Sequence, residues 1–181
     1  MASSALMLSL LFVAAVCGVS GAAASAALDE VCGLLGGHYV TPELCLSVLC
    51  HDASSPCGAA RDAPAVAALA ARLTAANATV ARDSVRAALS SSAAAANATA
   101  ATGLRSCLQL YGGIVPALQW AAGSVAAGRY RGAEEVVQAA QYITSGWEGM
   151  AGAALPREKN SDFFMMAFVT HAVLQFVSRL H

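Results

Sequence analysis

Cysteine carries most of the chemistry this sequence can offer, and it occurs at Cys17, Cys32, Cys45, Cys50, Cys57 and Cys107. Thiols pair as disulfides, bind metal or act as nucleophiles, and the compartment largely decides which. Cys17 lies in an uncharged apolar run from Leu6 to Val19, followed by the small residues Gly21-Ala22-Ala23-Ala24-Ser25-Ala26. That pattern reads as a secretory signal over 1–26, cleaved to leave 27–181, and the run is short for a membrane span. Cys17 then leaves with the signal. In an oxidising compartment Cys32, Cys45, Cys50 and Cys57 are expected to bridge and to staple the start of the mature chain. Short loops close most readily, which favours Cys32–Cys45 and Cys50–Cys57, although four cysteines permit three pairings. Cys107 is left as a buried free thiol, a partner in a rearranged bridge or an intermolecular link. Zinc is the rival reading, since His51 adjoins Cys50 and His38 is near. No C-x-x-C spacing supports it, and no metal is expected.

Catalytic patterns are missing from the sequence. There is no G-x-S-x-G and no H-E-x-x-H, so neither an elbow nucleophile nor a zinc protease is indicated. His171 reads as a satisfied core residue, and Met165 and Met166 beside phenylalanines read as packing. Asp83, Glu134 and Glu135 would form a carboxylate pair only if folding brought them together. Neither a cofactor nor an enzymatic activity is expected. Ten basic and eleven acidic residues give a net charge of −1 without runs of either sign, which argues against nucleic acid as a partner. Two sequons, Asn77-Ala78-Thr79 and Asn97-Ala98-Thr99, agree with a secretory route and mark candidate glycosylation sites.

These residues need elements to position them, and the sequence asks for helices. Alanine dominates the composition, and valine and isoleucine never alternate as they would in strands. Within 27–60 short helices are expected. One starts at Thr41-Pro42-Glu43, with Thr41 as N-cap and proline at the first helical position, and a turn follows at 52–56. Four longer helices are expected in 61–181. The first covers 62–89 with Val66, Leu69, Leu73, Ala76 and Val80 inward. The second covers 95–127 with Leu104, Leu108, Tyr111, Val115 and Leu118 inward, and Gly112-Gly113 and Pro116 predict a kink. The third covers 130–150 with Val136, Val137, Ala140 and Ile143 inward. The last covers 161–180, capped by Asn160 or Ser161, apolar nearly all round and therefore read as a core helix. The expected fold is all-α: an antiparallel up-and-down four-helix bundle with an N-terminal, disulfide-stapled helical hairpin.

Three stretches carry a resemblance. Val31-Cys32 is followed by Val40-Thr41-Pro42-Glu43-Leu44-Cys45-Leu46. Leu104-Arg105-Ser106-Cys107-Leu108-Gln109-Leu110-Tyr111 has the form Leu-x-x-Cys-x-x-x-Tyr. An apolar last helix follows Asn160. In this order and spacing the chain resembles the plant invertase/pectin methylesterase inhibitors, secreted four-helix bundles with an N-terminal hairpin. The resemblance implies a protein that binds an enzyme one-to-one: either pectin methylesterase, with bundle helices laid over its substrate cleft, or cell-wall or vacuolar invertase. It implies secretion to the apoplast or cell wall, with the vacuole as the second location, and a monomer when unbound.

The chain also departs from that pattern. The family carries a second bundle cysteine that pairs with the position of Cys107, and Gly146-Trp147-Glu148-Gly149-Met150 has none. Losing a native bridge costs about 2–5 kcal/mol in a small secreted domain, which a buried Trp147 would partly offset. Cys50 and Cys57 are additional to the pattern. Many invertase inhibitors have Pro-Lys-Phe where this chain has Gly128-Arg129-Tyr130-Arg131; the proline is gone, which favours pectin methylesterase. Arg129, Tyr130, Arg131, Glu134 and Glu135 are the candidate partner-binding residues, since Tyr and Arg are favoured anchors. A small-ligand or lipid carrier is the alternative from another class, but the chain lacks the Cys-Cys and Cys-x-Cys pairs of lipid-transfer proteins.

Overall fold

The computed structural model describes residues 20–51, 56–91, 97–151 and 155–180, the side chains of 20–25, 56 and 147–151 excepted. The signal reading over 1–19, the turn at 52–55 and the burial of Trp147 lie outside the described residues. Among the described residues every regular element is helical.

Helix α1 (Ser20–Leu34) buries Ala27, Leu28, Val31 and Cys32, three and four apart, and passes into a 3-10 turn at Leu35–His38. Tyr39 ends that turn in the left-handed region at φ 61°, a conformation non-glycine residues rarely take. Helix α2 (Pro42–Leu49) starts as its residues dictate: Thr41 Oγ1 accepts the Leu44 N–H at 3.2 Å, and Pro42 occupies the first position, where no N–H is needed. Cys32 and Cys45 join the two helices in a disulfide, with Cα atoms 5.5 Å apart.

Cys50 and Cys57 stand otherwise. Cys50 caps α2, Cys57 lies in a 3-10 turn at Pro56–Ala59 against α1, and both are half-buried thiols. They share a hydrogen bond and no bridge is formed. Burial first, and then that bond, push the Cys50 thiol up to about 12. Disulfide exchange needs a thiolate, so a thiol raised in this way exchanges slowly.

Helix α3 (Ala63–Leu89) is capped by Asp62, whose Oδ1 accepts the Ala65 N–H at 2.8 Å. Helix α4 is Ala98–Ala126, capped by Asn97. Helix α5 is Arg131–Ala151 and α6 is Arg157–Ser178. Helix α3 packs mainly on α4 and α6, and α5 packs on α4 and α6. Gln141 donates to the Ala167 carbonyl and Asn160 to the Thr144 carbonyl, both at 3.3 Å, so α5 and α6 run antiparallel.

The sequence expectations need two corrections here. The buried face of α3 is set by alanine as much as by larger residues: Val66, Leu69, Ala70, Thr74, Ala78, Ala81 and Val85 are buried, while Ala76 and Val80 are exposed. The proline expected to kink α4 does not end it, for the helix runs on through Pro116; that proline is exposed, so the carbonyl it cannot serve has access to water. Helix α6 begins a turn earlier than expected, with Pro156 at its cap position. Asn160 is therefore inside the helix and nearly buried, and its amide is spent on α5 instead of on capping.

By length and composition α6 is apolar enough to cross a membrane, yet half of its most apolar stretch is buried against its neighbours. Its Thr170 hydroxyl meets Thr74 Oγ1 of α3 at 2.8 Å and the Ala70 carbonyl at 3.2 Å, with both threonines fully buried. Paired in this way, two buried hydroxyls avoid the cost of unmet polar groups.

Candidate interaction surface

The turn between α4 and α5 is built by its glycine. Gly128 has φ 73°, a region it enters without the steric cost a side chain would bring. The Gly128 N–H reaches the Val125 carbonyl and the Arg129 N–H the Ser124 carbonyl, each at 2.9 Å. These two bonds are the paired pattern of a Schellman C-cap. Helix α5 starts at once, because the Tyr130 carbonyl accepts the Glu134 N–H at 2.9 Å.

This turn sorts the five candidate residues. Arg129, Arg131 and Glu135 are exposed. Tyr130 is only 8% exposed and belongs to the core cluster, so it anchors the turn and is not a contact anchor. Glu134 is half-buried and faces α6, where its Oε1 lies 3.7 Å from His171 Nε2. His171 is held below the usual imidazole value by burial first; Glu134 opposes that shift and His38 adds to it. The histidine read as a satisfied core residue thus sits half-buried among charged and titratable neighbours.

The aromatic anchor is one that sequence reasoning passed over. Trp120 of α4 is 56% exposed, with its indole lying over Gly132 of α5. A Cβ at Gly132 would meet Trp120 Cη2 at 3.2 Å, so the missing side chain is what seats the ring there. Trp120 lies within the expected second helix, two residues past Leu118 and off the inward stripe that the apolar spacing marks. The available signal was a tryptophan on the polar side of that face, opposite a glycine after the turn.

Around Trp120 the outer surface of α4 carries almost no charge. Arg105 is the single charged residue in Ala98–Ala126. Leu110, Gly112, Gly113, Pro116, Trp120 and Gly123 are all exposed, and open space lies beside the three glycines. Tyr142 of α5 is exposed as well. A helix face depleted of charge and bearing an exposed tryptophan, with Arg129 and Arg131 exposed at the turn beyond it, has the composition of a protein–protein contact.

Cys107 is fully buried in α4, and burial raises its thiol above the ordinary value. Among the described residues no cluster of three metal-ligating side chains occurs. Asn97 is exposed at the start of α4, whereas Asn77 is half-buried inside α3.

A model of the plant invertase/pectin methylesterase inhibitor family matches residues 26–168. The chain belongs to that family. No curated protein and no solved structure matches it. Members of this inhibitor family act as proteinaceous inhibitors of pectin methylesterase or invertase, are not enzymes, and are typically extracellular. The match runs from α1 into α6 and so takes in both the disulfide-stapled helices and the α4–α5 surface.

Proposed function

We propose that this chain is a secreted inhibitor of pectin methylesterase that binds the enzyme one-to-one and covers its substrate cleft. The exposed Trp120, seated on Gly132 near the turn end of a nearly uncharged helix face, is the observation that carries the reading. A preformed helical surface loses little ordering entropy on docking, and a standard interface needs about 800 Å² from each partner. Two helices of this length can supply that area. The neighbour pattern of α3 to α6 supports reading 61–181 as an antiparallel up-and-down four-helix bundle and 27–60 as its stapled hairpin. Residues 1–26 would be the cleaved signal, and the apoplast or cell wall the destination.

Invertase is the second reading, through the basic-then-aromatic order of Arg129-Tyr130. The burial of Tyr130 counts against it, because that aromatic ring is committed to the core. Titrating the mature protein separately into pectin methylesterase and acid invertase tests both. Stoichiometric loss of pectin methylesterase activity alone is expected. Loss of invertase activity alone would transfer the surface to the second target, and no effect on either would overturn the inhibitor reading.

A further inference from the structure

A cavity of about 260 Å³ opens where α2 rests between α3 and α6. Pockets for drug-sized ligands hold about 300–1,000 Å³, so this one suits a single ring. Val48, Met165 and Met166 form an apolar wall, and Ser47, His51 and Asp162 bring polar groups to it. That is the chemistry of a pyranose, which offers C–H faces to apolar walls and hydroxyls to donors and acceptors. Asn77, the asparagine of the first sequon, also lines the cavity.

We propose that Asn77 carries an N-linked glycan whose first N-acetylglucosamine sits in this cavity, tying α3 to α2 and α6. The proposal rests on the secretory part of the proposed function. In the modifying step Asn77 Nδ2 attacks the anomeric carbon of a lipid-linked oligosaccharide diphosphate. A C–N bond forms, the bond to the diphosphate breaks with its electron pair leaving on that group, and Nδ2 gives up one proton. The amide keeps its other proton. Asn77 Nδ2 donates to the Leu73 carbonyl at 3.1 Å, and one N–H is enough to keep that bond.

Two features on either side of Asn77 fit this placement. Ala78 is fully buried against the core, and Thr79 Oγ1 is turned back to the Ala75 carbonyl at 3.0 Å, so Asn77 stands at the edge of the packed face beside the cavity. Asn97 presents the contrast. It is exposed, and its Oδ1 rather than its Nδ2 caps α4, accepting the Ala100 N–H at 3.0 Å. A glycan there extends into solvent.

The test is peptide mapping of the full chain secreted from a eukaryotic host, with peptide N-glycosidase applied before and after denaturation. Both sites are expected to be modified. Native release at Asn77 should be slower than at Asn97 by about ten-fold or more, since access requires local opening, and denaturation should equalise them. An unmodified Asn77 beside a modified Asn97 would overturn the proposal while leaving secretion intact. Modification at neither site of the secreted chain would overturn the proposal alone, whereas a chain retained in the cell would remove the secretory premise. Equal native release at the two sites would overturn the seat in the cavity. None of these readouts depends on inhibition, so a failure of the enzyme assay leaves them interpretable.

Discussion

Two aromatic residues close together on the α4–α5 hairpin carry opposite roles, and truncation separates them. Trp120 is more than half exposed, while Tyr130 is core. Trp120→Ala should leave the melting temperature nearly unchanged and weaken inhibition by about ten-fold or more, as expected for an exposed tryptophan anchor. Tyr130→Ala should cost about 3 kcal/mol of stability, in the range of large aromatic truncations, which thermal unfolding reads directly. A Trp120→Ala protein with full inhibitory strength would move the contact away from this surface. The thiols separate in the same manner. Cys107 is buried and raised by that burial, and Cys50 is pushed up to about 12. At pH 8 both should alkylate slowly in the native protein, because the thiolate is the reactive species. Denaturation should release both, and mass mapping should find Cys32 and Cys45 reactive only after reduction. If secretion instead closes Cys50 with Cys57, denaturation without reductant will expose Cys107 alone.

Helices such as α3 and α6 are held to each other by few polar contacts, and Thr74 with Thr170 is the one that a mutant cycle can isolate. Each hydroxyl is buried and also touches the Ala70 carbonyl. Thr74→Val or Thr170→Val alone should cost about 1–2 kcal/mol, because a buried partner loses a bond. The double variant should cost clearly less than the two singles added, since removing both groups leaves nothing unmet. Additive losses in urea unfolding would show that the pair is not coupled. At this scale much was legible in the sequence. Thr41 and Pro42 start α2, and the segment expected from 62 begins under an Asp62 cap, because capping is local chemistry. The inward residues expected in α4 were legible because leucine, tyrosine and valine recur there at helical spacing; all but half-buried Leu108 are fully inward. The face of α3 was not, since alanine packs on either side of a helix and gives periodicity little contrast. The early start of α6 was hidden too, because Asn160 looked like a cap and its true partner, the Thr144 carbonyl, is on another helix. Trp120 over Gly132 is likewise a relation between two helices, invisible to any reading taken one helix at a time.

The assembled molecule couples its two halves at one titrating group. His171 of α6 faces Glu134 of α5 and, beyond the bundle, His38 in the turn after α1. Burial holds its folded-state value below the usual 6.5, with His38 pushing the same way and Glu134 opposing. The folded protein therefore binds fewer protons at this site than the unfolded chain does. Stability rises with pH wherever the unfolded state binds more protons. The contribution of His171 should be fully present above about pH 7 and decline as pH falls below 6.5. The decline should level off once pH passes under the depressed folded value, where both states are protonated. Urea unfolding between pH 7.5 and 4.5 measures this, with His171→Gln as the comparison. The variant should have a flatter profile through that window, and the difference between the two curves should appear below 6.5 rather than above it. The opposite slope, with wild type gaining on the variant as pH falls, would mean that Glu134 outweighs burial and that the imidazolium is the form the fold prefers. His38→Gln separates those cases further. If burial and cationic repulsion dominate, relieving the repulsion should raise the His171 value and reduce the acid loss, so the contact between the N-terminal hairpin and α6 is part of what sets the pH response.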